Sequence, residues 1–105
     1  MRRIVKRPRV LLDIEEHAGF IFGDNMEAGL RFPEACDATF ERILEMPLIG
    51  SARRFSHSEL LGLRLWPVQG FPNHLVFYFA REDGIEIVRV LHGAQDLESI
   101  LEGEA

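Results

Sequence analysis

Four histidines, His17, His57, His74 and His92, and a lone cysteine, Cys36, are the side chains of this sequence best suited to nucleophilic, acid–base or metal chemistry. No two of the histidines stand as HxH or HxxxH, and one cysteine supplies neither a disulfide nor a thiolate cage, so no metal site is expected. The glycines never fall into GxxxxGK[ST] or GxGxxG, and no GxSxG is present, which removes the common phosphate cradles and the nucleophile elbow. No cofactor is expected. Cys36 lies in an apolar helical stripe and reads as a small core residue. His92 precedes Gly93 at the end of an apolar run, "RVLHGAQD", and reads first as a residue that orients a turn, with catalysis as the sharper alternative.

Arginine is the more distinctive feature. Eleven of the twelve basic residues are arginine, with Lys6 the only lysine. The planar guanidinium suits oriented contacts to carboxylate or phosphate. Alternation along the strands puts Arg64 and Trp66 on the face opposite Leu63 and Leu65, and Tyr78 opposite Phe77, with Arg89 out of phase between Val88 and Val90. If the leucines and phenylalanines face a helical layer, then Arg64, Trp66, Tyr78 and Arg89 gather on an exposed sheet face. Arginines among aromatics stack on bases, hold phosphates or grip an acidic protein. The plainer reading is a partly solvated sheet with Arg89 neutralised by Glu86 or an acid of the tail. The net charge of −5 argues against broad, nonspecific nucleic-acid binding.

The elements that must carry these residues follow from period. "RRIVKR" reads as a short strand. Pro8 suits the first turn of a helix in which Val10, Ile14, Ala18 and Ile21 recur at helical spacing. Asp13, Glu15 and Glu16 fall in its first half, where the helix dipole favours acids. Asp24 or Asn25 caps a second helix with Ala28, Phe32, Ala35 or Cys36, Thr39 and Ile43 on its stripe. Pro33 is expected to kink that helix or reset its start, and Pro47 ends it. Residues 47–59 read as a loop. Three strands follow, over the alternating leucines 61–65, over "HLVFYFA" and over "IEIVRVLH", the last two joined at Asp83-Gly84. "AQDLESILEG" closes the chain as a short helix. Runs of helices followed by runs of strands mean α+β, in one domain spanning 1–105. The helical hairpin covers one sheet face and leaves the other at least partly open. No apolar run approaches a membrane span, and the basic start lacks the apolar segment of a secretory signal, so no membrane association and a cytoplasmic location are expected.

"LEMPLIG", "LLGLRLWPVQGFPNHLVFYF" and "DGIEIVRVLHGAQDLESIL" together resemble the ParE branch of the RelE/ParE toxins, the toxin halves of bacterial type II toxin–antitoxin pairs. "RVLHGAQD" is similar to that family's RVLHGARD, with Gln95 in place of the second arginine, and Pro47, Gly50 and Arg53 fit its loop. The resemblance implies a β-α-α-β-β-β-α chain with a helical hairpin packed on a curved antiparallel sheet. It implies a cognate, ParD-like antitoxin that folds over the toxin. It also implies growth arrest by binding to DNA gyrase, with Arg53, Arg54, Arg64, Trp66, Tyr78 and Arg89 as candidates for contact with target or antitoxin. The alternative within the superfamily is ribosome-dependent cleavage of messenger RNA, for which Arg64, Arg89 and His92 would be the candidates. RelE-type sites add an arginine and a tyrosine near the C-terminus, and "GAQDLESILEGEA" has neither. A nontoxic relative that only forms complexes is a third class. Replacing Arg64 or Arg89 by Ala is expected to weaken toxicity or antitoxin grip more than folding.

Overall fold

The computed structural model describes residues 2–105. The chain runs β1 (Arg3–Lys6), α1 (Pro8–Asp24), α2 (Met26–Glu45), β2 (Ser51–Ala52), a 3-10 turn (Ser58–Leu60), β3 (Arg64–Val68), β4 (Phe71–Arg81), β5 (Gly84–His92) and α3 (Leu97–Glu102). The expected α+β order holds, with one short strand, β2, added inside the segment read as a loop. The sheet order is β1-β5-β4-β3-β2. β2 to β5 are antiparallel to their neighbours, whereas β1 lies parallel beside β5, so the sheet is mixed, not wholly antiparallel.

Local signals account for most boundaries. Pro8 opens α1, where its missing N–H costs nothing. Asn25 caps α2 by accepting the Ala28 N–H at 3.0 Å. α2 runs unbroken through Pro33. Asp96 caps α3 by accepting the Ser99 N–H. Gly84 follows the β4–β5 turn at φ +147°, and a Cβ there would lie 1.9 Å from the Arg3 carbonyl oxygen, so only glycine lets β1 dock against β5.

The sheet separates two apolar layers. Val10, Ile14, Phe32, Cys36, Phe40 and Ile43 of the helical hairpin pack on Val76, Tyr78, Ile85, Ile87 and Val90. On the other face Phe77, Phe79, Val88 and Leu91 are covered by Leu60, Leu63, Leu97 and Leu101. This inverts the expected orientation and closes the face expected to be open. Both strand faces are apolar, so alternation identifies two faces without saying which meets the hairpin, and α3 together with the 3-10 turn seals the second. Tyr78 is therefore fully buried beneath the hairpin.

Candidate functional site

Arg89 lies at a β-bulge. Phe77 pairs with Arg89 but Tyr78 pairs with Ile87, so Val88 is an extra residue in β5. The bulge reverses the phase of the strand: Ile85 and Ile87 face the hairpin before it, Val90 after it. Arg89 is 8% exposed. Its Nε and Nη2 donate to the two carboxylate oxygens of Asp13 at 2.7 and 2.8 Å, and Nη1 reaches Glu104 at 3.4 Å. The bond to Asp13 holds the guanidinium protonated beyond its ordinary range, against the cost of burial. The arginine expected on an open face is instead a buried tie between α1, β5 and the tail.

The same carboxylate accepts the Val90 N–H at 3.0 Å, and one turn later His17 Nε2 donates to the Val90 carbonyl at 3.1 Å. β1 pairs only with Gly84–Ile87. Beyond it, among the described residues, the outer edge of β5 has no strand partner, and Asp13 and His17 on α1 satisfy the backbone that a longer β1 would have paired. Asp13 thus serves this edge and not the helix dipole. The signal for both was present in sequence: Val10, Asp13, Ile14, His17, Ala18 and Ile21 share one helical stripe, so a carboxylate and an imidazole stood on the buried face and required partners.

Arg64 and Tyr78 do meet, as register partners on β3 and β4. Their polar ends converge on the loop after α2. The Tyr78 hydroxyl donates to the Pro47 carbonyl at 2.7 Å and accepts the Gly50 N–H at 2.9 Å. Arg64 Nη1 donates to the Gly50 carbonyl at 2.6 Å. A Cβ on Gly50 would lie 2.6 Å from the Tyr78 oxygen. Burial raises the Tyr78 phenol pKa despite the Gly50 N–H and the Arg64 charge, which favour the phenolate. These contacts fix a segment that presents Met46, Leu48 and Leu61 to solvent along with Arg53 and Arg54. From 46 to 64 this segment holds three arginines against one acid, Glu59. Tyr78→Phe is expected to leave the buried Gly50 N–H without a partner and to cost about 1–3 kcal/mol, read as a lower urea midpoint with unchanged m-value.

Trp66 is half-buried and lines a shallow groove with Thr39, Arg42, Val68 and Gly70, between α2 and the β3–β4 turn. It does not join Arg89. His92 sits at the end of β5, directly across from His74 on β4. His92 Nδ1 accepts the Ala94 N–H at 3.0 Å, and its own N–H donates to Gln95 Oε1 at 2.7 Å, so it orients the turn into α3. Gln95, the departure from the arginine of "RVLHGARD", closes that turn. The ring of His74 packs edge to face at 4.9 Å from His92 and 5.0 Å from His17, with Phe32 also at 5.0 Å. This histidine column, which spacing along the chain did not reveal, is assembled by the β4–β5 register and the α1 stripe. Among the described residues no group of three or more His, Cys, Asp or Glu is arranged to hold a metal ion, and no helix is long and apolar enough to cross a membrane.

Uncovered apolar side chains mark the hairpin itself. Leu11, Leu12, Phe20, Met26 and Leu30 are 49–84% exposed. Large apolar patches on small domains mark contact surfaces. Among curated proteins the chain has no significant match. Residues 4–97 match the family described as ParE toxin of type II toxin-antitoxin system, parDE. That span takes in both hairpin helices and all of the sheet but Arg3, the first residue of β1, so the chain belongs to the ParE family and is the toxin component of a type II toxin–antitoxin system, with a cognate antitoxin as its partner.

Proposed function

We propose that this toxin arrests growth by binding DNA gyrase and that its ParD-like antitoxin silences it by covering the exposed apolar surface of the helical hairpin. The ParE family match over 4–97 is the observation that carries this reading. The geometry supports a binding mode of action. The three residues that messenger-RNA cleavage would draw on are engaged elsewhere: Arg64 with loop carbonyls, Arg89 with Asp13, His92 with the Ala94 N–H. The sheet face opposite the hairpin is filled by leucines and phenylalanines. The segment carrying Arg53 and Arg54, with Leu48 beside it, joins positive charge to apolar contact and suits a protein–DNA complex, where phosphates supply the complementary charge. Action on gyrase places the protein in the cytoplasm.

Purified toxin added to gyrase and relaxed plasmid is expected to block supercoiling and accumulate gyrase-cleaved linear DNA, with relief on adding antitoxin. Arg53→Ala with Arg54→Ala should weaken inhibition about tenfold or more, the loss of roughly two exposed charge contacts, without lowering stability. Codon-phased message cleavage on induction, with gyrase activity intact, would establish the nuclease alternative instead.

A further inference from the structure

A cleft of about 620 Å³ separates the second half of α1 from the far end of β4 and β5, with Gly19 and Gly23 on one wall and His74 and His92 on the other. The two glycines stand one turn apart inside a helix, where glycine is the poorest residue after proline. Among the described residues a Cβ at either meets no atom within 4 Å, whereas Gly29, Gly50 and Gly84 are each crowded. They leave helix backbone bare for close approach from outside.

The opposite wall gives an independent indication of a ligand. His74 is 9% exposed and lines the cleft. Its neighbours His17 and His92 each have a ring hydrogen bond, to Val90 and Ala94, while among the described residues His74 has ring contacts only with other rings. None of its side-chain nitrogens is sealed from solvent without a partner, so they open into the cleft. An imidazole reachable from the cleft can exchange solvent for a donor or acceptor brought by a ligand seated there. Phe20, 84% exposed, stands beside the opening. Asp24 on the same wall and Glu16, one helical turn before Phe20, are exposed, and among the described residues neither forms an ion pair.

From this geometry we infer that the cleft seats a helix of the antitoxin, whose small or apolar side lies on the bare backbone at Gly19 and Gly23 and whose hydroxyl or amide side chain completes His74. Basic residues flanking that helix meet Glu16 and Asp24, which selects a cationic-edged segment over an acidic one. Phe20 supplies the large apolar contact at the rim. The inference rests on the antitoxin reading above and adds the place and chemistry of the contact.

The test uses full-length toxin and the purified protein encoded by the adjoining reading frame. Titration calorimetry is expected to show tight binding to the wild type and at least about a hundredfold loss with Gly19→Leu and Gly23→Leu together, the size of a hot-spot contact. The same double variant should melt at or above the wild-type temperature, because leucine is the better helix former and the added side chains meet open space. His74→Phe, which keeps an aromatic ring among its neighbours, should weaken binding about tenfold, the loss of one hydrogen bond to a buried group. Equal binding of wild type and double variant overturns the cleft as the seat while leaving the antitoxin assignment intact. No binding to the wild type overturns both. Sedimentation of the toxin alone gives the remaining outcome: a wild-type dimer that the double variant abolishes and the neighbouring protein does not disrupt assigns the cleft to a second copy and overturns the inference.

Discussion

Asp13→Ala is expected to cost about 3–5 kcal/mol, the usual penalty for removing one partner of a buried ion pair. Asp13 is 2% exposed and accepts three hydrogen bonds, two from Arg89 and one from the Val90 N–H. Its loss leaves a guanidinium in the interior with, among the described residues, only Glu104 at 3.4 Å to oppose it. It also strands a backbone donor where β1 no longer runs alongside β5. At roughly 4–8 °C per kcal/mol for a domain near this size, the melting temperature should fall by about 15 °C or more. Arg89→Ala should do comparable harm from the other side, since Asp13 would then be the unpaired charge, with Arg9 at 3.8 Å a distant and half-exposed substitute. The double change Asp13→Leu with Arg89→Met replaces the pair by apolar side chains and should recover most of the loss. A fall of less than about 1 kcal/mol in either single variant, measured by urea unfolding, would mean the pair is not the tie between α1 and β5 described above. The effect expected of Arg89 from sequence, a loss of activity greater than the loss of fold, is thereby reversed, while Arg64, half-buried over the Pro47–Gly50 loop, keeps a place where binding and local structure are joined.

The elements themselves were legible because their signals are local. The helical stripe of α1, a cap at Asp24 or Asn25 for α2, and the Asp83-Gly84 turn each depend on residues a few positions apart. The layering was not, because Leu63, Phe77 and Phe79 on one face and Val76 and Tyr78 on the other are equally apolar, and burial on both faces leaves no polar side to give orientation. The fate of Arg89 turned on a single extra residue. The bulge at Val88 shifts which side chains of β5 face the hairpin, and nothing within "IVRVLH" announces it. Asp13 was the available clue. An acid inside the Val10–Ile14 stripe can be buried only against a cation, and Arg89 is the cation embedded in an apolar strand. The histidine column needed the full topology, since His17, His74 and His92 come from α1, β4 and β5 and have no sequence spacing in common.

That column makes stability depend on pH in a window of its own. Burial, followed by the proximity of His17 and His92, pushes the His74 pKa down from 6.5 to about 4. Burial also lowers His17, against the pull of its bond to Val90 and of Asp13 and Glu16. In the unfolded chain both imidazoles take up a proton near pH 6.5, whereas the folded protein excludes it, so the unfolded state binds more protons as the medium is acidified. Stability is then whole above about pH 6.5, declines as pH falls below that value, and has lost the His74 contribution fully near pH 4. Glu86 acts in a more acid range. Burial opposes its ionisation, but Arg81 and Arg7 outweigh that and hold its pKa below 4.5, so its contribution survives until the histidine loss is nearly complete. Urea midpoints measured from pH 8 to pH 4 should therefore bend downward near 6.5 in the wild type. His74→Phe, which preserves the edge-to-face packing on Phe32 and Phe71 and cannot take a proton, should flatten most of that bend. An identical decline in the variant would place the sensitive group elsewhere. Because the column forms one wall of the cleft beside Gly19 and Gly23, the same protonation that strains the packing of α1 on the sheet also alters that wall, and mild acid should loosen the hairpin at its tip before the Arg89–Asp13 tie yields.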